Sequence, residues 1–159
     1  MIPAKILLID DDPDDCYLFN DAVSGIEASC ELTCVNTFLE ALFYLTTQTP
    51  SLIFLDLNMP FKNGFECLAE LKAGDPFKEI PVIIFSSSSY QKDIQMAYEK
   101  GAALYFTKPS CFDVLVEGLR DVLSKNWDEA ATITASHFSD SKYTSFSVKN
   151  FNKAAISNL

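Results

Sequence analysis

The chain has 159 residues, 48% of them apolar, which fits one globular domain, or one domain with an appendage. A formal charge of −10 argues against nucleic acid or an anionic membrane surface as a direct partner, and a lone histidine, His137, argues against a histidine-rich metal centre. No run approaches the roughly 18 uninterrupted apolar residues of a membrane span.

In chain order, Met1-Ile2-Pro3-Ala4-Lys5 leads directly into a strand, leaving no room for a signal peptide. Ile6–Ile9 is that strand, stopped by Asp10-Asp11-Asp12. Pro13 sits where the first turn of a helix tolerates it, with Asp12 as N-cap, and Tyr17, Leu18, Ala22 and Val23 form the helix's apolar stripe. Glu31–Val35 reads as a second strand. Leu39, Ala41, Leu42 and Leu45 mark a second helix, ended by threonines and Pro50. Leu52–Leu55 is the third strand and ends at Asp56. After Met59-Pro60 and Gly64 a helix runs through Phe65, Leu68 and Leu71 to close near Gly74.

Pro81 opens the fourth strand, Val82–Phe85, apolar at every position as a parallel strand covered on both faces should be, and Ser86 follows it. Ser88-Ser89-Tyr90-Gln91 has capping-box spacing and starts the fourth helix, which Gly101 ends. Ala103–Phe106 is the fifth strand, followed by Lys108-Pro109. Ser110-Cys111-Phe112-Asp113 reads as an N-cap before a helix bearing Val114, Leu115, Leu119, Val122 and Leu123. The alternation predicts a (βα)5 doubly wound parallel sheet over residues 1–125.

From Asn126 the composition turns to Ser, Thr, Asn and Lys, with Trp127, Phe138, Tyr143, Phe146 and Phe151 interspersed. Residues 126–159 are too few for an independent domain. Thr144, Phe146 and Val148 alternate with serines, as a short edge strand would. Packing back on the domain, dimerisation and flexibility are all open to this extension. The cysteines (Cys16, Cys30, Cys34, Cys67 and Cys111) include no C-x-x-C pair and read as reduced thiols of a cytoplasmic protein.

Four polar groups thus end apolar strands: the acids at Asp10, then Asp56, Ser86 and Lys108. A parallel α/β sheet gathers the loops after its strands at one carboxyl edge, where such folds hold ligands. Asp10, Asp11 and Asp56 brought together repel one another until a hard cation joins them, and Mg2+ favours a few carboxylates with waters and a phosphoryl oxygen. Mg2+ beside a carboxylate nucleophile is an arrangement for phosphoryl transfer, with Lys108 and Ser86 able to hold phosphoryl oxygens. Taken singly, each group reads as a solvated loop residue; four in order at four strand ends do not.

These residues carry a family resemblance. Ile6-Leu7-Leu8-Ile9-Asp10-Asp11-Asp12-Pro13, Ile53-Phe54-Leu55-Asp56-Leu57-Asn58-Met59-Pro60 with Gly64, Pro81-Val82-Ile83-Ile84-Phe85-Ser86, and Gly101 through Lys108-Pro109 resemble the receiver domains of two-component response regulators, over roughly residues 4 to 125. The resemblance implies a flavodoxin-like sheet of strand order 2-1-3-4-5. It implies that Asp56 accepts a phosphoryl group from a phosphohistidine on a sensor kinase or phosphotransfer protein. It also implies Mg2+ held by Asp11 and Asp56 carboxylates, the Asn58 carbonyl and, largely through water, Asp10. Ser86 and Tyr105 would be the switch pair, remodelling the face of the fourth helix, fifth strand and fifth helix, and the Lys108–Pro109 bond would be cis. Asp12, Asp14, Asp15 and the longer Lys72–Glu79 segment resemble single-domain receivers associated with phytochrome-type kinases.

Ser86 stands where the family more often has Thr, and Ser88, two residues on, and Asn58 leave the acyl-phosphate lifetime open. The rival classes are a haloacid-dehalogenase-type phosphatase with Asp10 as nucleophile, a degenerate receiver acting as a scaffold, and a flavodoxin-type redox protein. The first leaves the Asp56 motif without a role. A scaffold has no reason to carry so much like charge at one site, and the acids after the first strand would repel an FMN phosphate. The reading is therefore a stand-alone cytoplasmic signalling switch. It uses Mg2+, promotes only its own phosphorylation and dephosphorylation, and acts through a downstream protein target, with a homodimer left open.

Overall fold

Side chains in a strand point alternately to opposite faces, so an apolar run buries both faces only if helices cover both. In the computed structural model, which describes residue 3, residues 5–26 and residues 29–148, that is the arrangement reached. The strands are β1 (Lys5–Ile9), β2 (Glu31–Val35), β3 (Leu52–Leu55), β4 (Val82–Ser86) and β5 (Leu104–Thr107). Between and after them run α1 (Pro13–Ile26), α2 (Phe38–Leu45), α3 (Gly64–Lys72), α4 (Gln91–Glu99) and α5 (Phe112–Ser124). The five strands are parallel in the order β2-β1-β3-β4-β5, the flavodoxin-like topology expected. The register aligns Ile9 with both Val35 and Leu55, Leu55 with Ile84, and Ser86 with Thr107. Strands β1, β2 and β3 therefore end level with Ile84, and β4 and β5 run on to Ser86 and Thr107.

Two apolar clusters fill the layers. Leu7, Ile9, Ile53, Leu55, Ile84 and Tyr105 pack with residues of α2, α3 and α4, whereas Ile6, Leu8, Phe54, Phe85 and Phe106 pack with residues of α1 and α5. In the second cluster Phe19 of α1 is fully buried, its ring edge-on to Phe54 at 4.9 Å and to Phe85 at 5.3 Å. Phe19→Ala is expected to cost about 3–5 kcal/mol of unfolding free energy. Urea denaturation measures this, and a loss below about 1 kcal/mol would mean that the ring is not the keystone of that layer.

Several local expectations change. Asp12 caps α1 as expected, its carboxylate accepting from the Asp14 N–H at 2.9 Å. The Ser88–Gln91 capping box does not form. The helix begins at Gln91, so Tyr90 holds the N-cap position without a side-chain bond, while Ser88, two residues earlier, donates its hydroxyl to the Asp93 carboxylate. At α5 the cap position belongs to Cys111, not Ser110, and it too makes no side-chain bond. Strand β5 starts and ends one residue later than expected. Cys16 and Cys34, expected as separate thiols, are joined as a disulfide: the first turn of α1 lies against β2, with the two Cα atoms 6.2 Å apart. A spacing of 18 residues carries no signal for that pair.

Beyond α5 the chain forms a 3-10 turn (Trp127–Glu129), α6 (Ala130–Ala135) and a two-stranded hairpin, β6 (Phe138–Ser139) and β7 (Lys142–Tyr143). The hairpin turns through Asp140 and Ser141, both at positive φ, as a tight two-residue hairpin turn requires. Trp127 is buried, its indole N–H donating to the Val122 carbonyl at 3.0 Å. Phe146 then pairs with Phe106 of β5 in a single parallel bridge, where the alternation had suggested a short strand. Of the three fates left open for the extension, its described part packs back on the sheet. Met1, Ile2, Ala4 and Phe151 lie outside the described residues. Among those described, no helix is long and apolar enough to cross a membrane.

Candidate functional site

Because β1 and β3 are neighbours, the residues that follow them are neighbours too. The Asp56 N–H donates to the Ile9 carbonyl at 3.0 Å, and the Asp10 N–H to the Val35 carbonyl at 3.1 Å, so each acid continues its strand by one ladder bond. Asp10 is fully buried and Asp56 nearly so. One carboxylate oxygen from each of Asp10, Asp11 and Asp56 falls within 4.8 Å of the others. The loop after β3 closes over Asp56: the Asn58 N–H points to its carboxylate at 3.4 Å, and the Gly64 N–H donates to the Leu57 carbonyl at 2.9 Å.

Lys108 crosses to these acids from β5. Its N–H donates to the Ser86 carbonyl at 2.7 Å, which fixes the start of the side chain. Its Nζ lies 2.8 Å from Asp10, 2.7 Å from Asp15 and 3.6 Å from Asp56. The Lys108–Pro109 bond expected to be cis is not; the cis bond among the described residues precedes Pro76. Trans is the favoured X–Pro isomer, and the long lysine side chain reaches all three carboxylates from it. Ser86 is fully buried at the end of β4, its hydroxyl accepting from the Ser88 N–H at 3.2 Å. Tyr105 is also fully buried, its hydroxyl donating to the Ser88 carbonyl at 2.7 Å. The structure thus brings Asp10, Asp11, Asp56, Asn58, Ser86 and Lys108 to one edge, with Tyr105 behind the Ser86–Ser88 loop.

Two contributors were not singled out for the site from the sequence. Asp15, in the first turn of α1, shares Lys108 with Asp10, and the Asn36 amide donates to the Asp10 carbonyl at 3.1 Å. Asp15 was visible only as one acid among several, which also suit the positive end of a helix dipole.

The electrostatics are those of a site short of positive charge. Burial pushes the Asp10 carboxyl up from an ordinary 3.8 to about 6, despite the Lys108 contact. Asp56 is raised as well, first by burial and further by Asp11. Burial alone would lower Lys108, but the Asp10 and Asp15 hydrogen bonds outweigh it and hold the ammonium charged. The pair is asymmetric because complete desolvation costs Asp10 more than one lysine returns. A divalent cation would supply the missing charge, and carboxylates from the buried Asp10 and Asp56 and the half-buried Asp11 form the hard-oxygen donor set that Mg2+ or Mn2+ prefers.

The sign of the pH dependence follows. Without metal, the raised Asp10 group favours the folded state below its unfolded value near 4, and that contribution is lost as pH rises through about 6. Metal binding runs the other way, because cation and proton compete for the same carboxylate. Mg2+ affinity is expected to be about tenfold weaker at pH 5 than at pH 7. Calorimetric titration checks this, and an affinity unchanged between those pH values would contradict the raised Asp10.

Comparison with known proteins gives consistent matches. Residues 6–120 match the response regulator receiver domain family. The response regulator Rcp1 of Synechocystis is 32% identical over 140 residues, covering 84% of this chain and 95% of that protein. The crystal structure of the phosphorylated cyanobacterial phytochrome response regulator RcpA superposes with a TM-score of 0.70 at 32% identity, over 75% of this chain and 90% of that one. The Mn(2+)-bound form of Rcp1 superposes at 0.67 and 31%, over 78% and 97%.

Proposed function

This chain belongs to the response regulator receiver family, and on that premise we propose that Asp56 is its phosphoacceptor, charged by a phosphohistidine on a kinase or phosphotransfer protein. Receiver domains are phosphoacceptor switches of two-component signalling, and this chain is one of them. The observation that carries the assignment to Asp56 is its place. It is buried at the end of the central strand β3, beside the Asp10 and Asp11 carboxylates and 3.6 Å from the Lys108 ammonium.

In the proposed reaction a carboxylate oxygen of Asp56 forms the new P–O bond as the P–N bond of the donor breaks, the electron pair leaving with the imidazole nitrogen. Lys108 exchanges a carboxylate contact for a phosphoryl oxygen, and the Ser86 hydroxyl donates to another. Asp10, Asp11, Asp56 and the Asn58 carbonyl would hold Mg2+, which supplies positive charge to the phosphoryl oxygens. Water later attacks phosphorus, returning the Asp56 carboxylate and inorganic phosphate, so the chain promotes only its own phosphorylation and dephosphorylation.

Residues 1–125 form the receiver in this proposal, and residues 126–159 are an extension of it. The likeness to Rcp1 and RcpA supports a phytochrome-type histidine kinase as donor, a cytoplasmic setting where such a kinase meets ATP, and output through a protein target. Intact-protein mass after incubation with a small phosphoramidate, with and without Mg2+, tests the reading. A single Mg2+-dependent phosphoryl adduct is expected. No adduct on the folded protein would leave a scaffold, and many turnovers on a phosphomonoester would make it a phosphatase.

A further inference from the structure

Strand β5 is the edge of the sheet, so one side of its backbone has no neighbouring strand, and such edges are ordinarily covered or blunted. Here the C-terminal extension covers it, and does so through groups on that open side. The Phe146 N–H donates to the Tyr105 carbonyl at 2.7 Å, and the Thr134 hydroxyl donates to the Ala103 carbonyl at 2.8 Å. The Tyr105 N–H donates to the Tyr98 hydroxyl at 3.0 Å, and that hydroxyl donates in turn to the Thr144 carbonyl at 3.0 Å. Tyr143 stacks on the Tyr98 ring, centroids 4.4 Å apart. Gln91 and Gln95 of α4 clamp the Tyr143 backbone, one donating to its carbonyl at 2.7 Å and the other accepting from its N–H at 3.2 Å. Phe146 is buried edge-on against Phe106.

Tyr105 stands at the centre of these contacts and also at the end of a second chain of bonds. Its phenol holds the Ser88 carbonyl, and the Ser88 N–H is held by the Ser86 hydroxyl at the candidate site. Tyr98 and Tyr105 belong to one apolar cluster, and Tyr143 packs against it, so the Tyr105 ring and the anchor of the tail share a core. One element, the inward Tyr105, is therefore biased from both ends, which is the physical condition for two sites to be coupled.

We propose that residues 138–148 are a built-in reader of the Asp56 site: they dock on the open edge of β5 and on Tyr98 while Tyr105 is packed inward, so that tail docking and phosphoryl binding strengthen each other. Tyr98 is the positioning residue of the device, its single hydroxyl joining the β5 backbone to the tail. A Ser86 hydroxyl drawn toward a phosphoryl group pulls the Ser88 loop, and with it the phenol of Tyr105, further inward. Coupling is reciprocal, so loosening the tail weakens the phosphoryl site by the same factor.

The inference rests on Asp56 being the phosphoacceptor, and the test separates the two. Full-length protein is treated with Mg2+ and beryllofluoride, which mimics a phosphoryl group on a carboxylate, and amide hydrogen exchange is followed in wild type, Tyr98→Phe and Tyr143→Ala. In wild type, protection is expected to rise in the 86–90 loop and, about fivefold, at the Thr144 and Phe146 amides. Both variants are expected to bind beryllofluoride about fivefold more weakly, and Tyr98→Phe, which keeps the ring stack, guards against a mere folding defect. A protected loop with unchanged tail exchange and unchanged affinity would make the tail a static cover. Faster tail exchange would reverse the sign and overturn the proposal. No protection at the 86–90 loop would overturn the Asp56 reading itself.

Discussion

Asp56→Asn is expected to take up no phosphoryl group while remaining folded. The amide keeps an oxygen to accept from the Asn58 N–H, and Lys108 keeps Asp10 and Asp15, so the loops have no reason to rearrange. What disappears is the nucleophilic oxygen, and an amide cannot form the acyl phosphate. The metal-free variant is expected to be more stable, because a nearly buried carboxylate raised by burial and by Asp11 is replaced by a neutral group. Mg2+ binding moves oppositely, weakening by at least about tenfold with a carboxylate lost from the cluster. Thermal melts with and without Mg2+, beside the mass assay, read all three. Asp10→Asn is the control: it also lightens the pocket but leaves the acceptor in place, so it should retain a slower adduct. An adduct that persists in Asp56→Asn and vanishes in Asp10→Asn would contradict the assignment.

Gly64→Ala is expected to lose about 3 kcal/mol or more of stability and nearly all phosphoryl uptake. A Cβ placed at Gly64 would lie 2.3 Å from the Asp56 carbonyl oxygen and 2.6 Å from the Leu57 Cα. Both are backbone atoms of the segment that carries the acceptor, and neither can rotate away. Relief requires the start of α3 or the Asp56–Leu57 peptide to shift, and the latter carries the carboxylate off its position over Asp10. Gly25→Ala in α1 is the internal comparison. An added Cβ there meets nothing within 4 Å, so helix propensity alone applies and the change should be neutral or stabilising by up to about 1 kcal/mol. Equal urea midpoints for the two variants would show that the close approach at Gly64 is not real.

The site was legible in the sequence because a parallel sheet turns a one-dimensional pattern into a place. Each of Asp10, Asp56, Ser86 and Lys108 ends an apolar run, and strands that all run the same way put those ends at one edge whatever the intervening helices do. Asp15 was not legible in that way, since its partner Lys108 is 93 residues distant and its neighbours are also acidic. Cys16 and Cys34 meet only because α1 leans on β2, which no spacing rule encodes. The capping box failed because the helix starts at Gln91, which leaves Ser88 outside the cap position, and a local pattern of serines does not fix which of them meets the first turn. The extension shows the same limit on a larger scale. Alternation at Thr144, Phe146 and Val148 announced an edge strand, but nothing in three residues names the edge, whereas the stack on Tyr98 and the bond to the Tyr105 carbonyl do.

Mapping the phosphorylated residue directly tests the role of Asp56. The chain is phosphorylated with phosphoramidate and Mg2+, reduced with borohydride, which converts an aspartyl phosphate to homoserine, then digested and sequenced by mass. Homoserine at position 56 alone, and only in the sample that received the donor, is the expected result. Homoserine at Asp10 or Asp11 with Asp56 intact would contradict it.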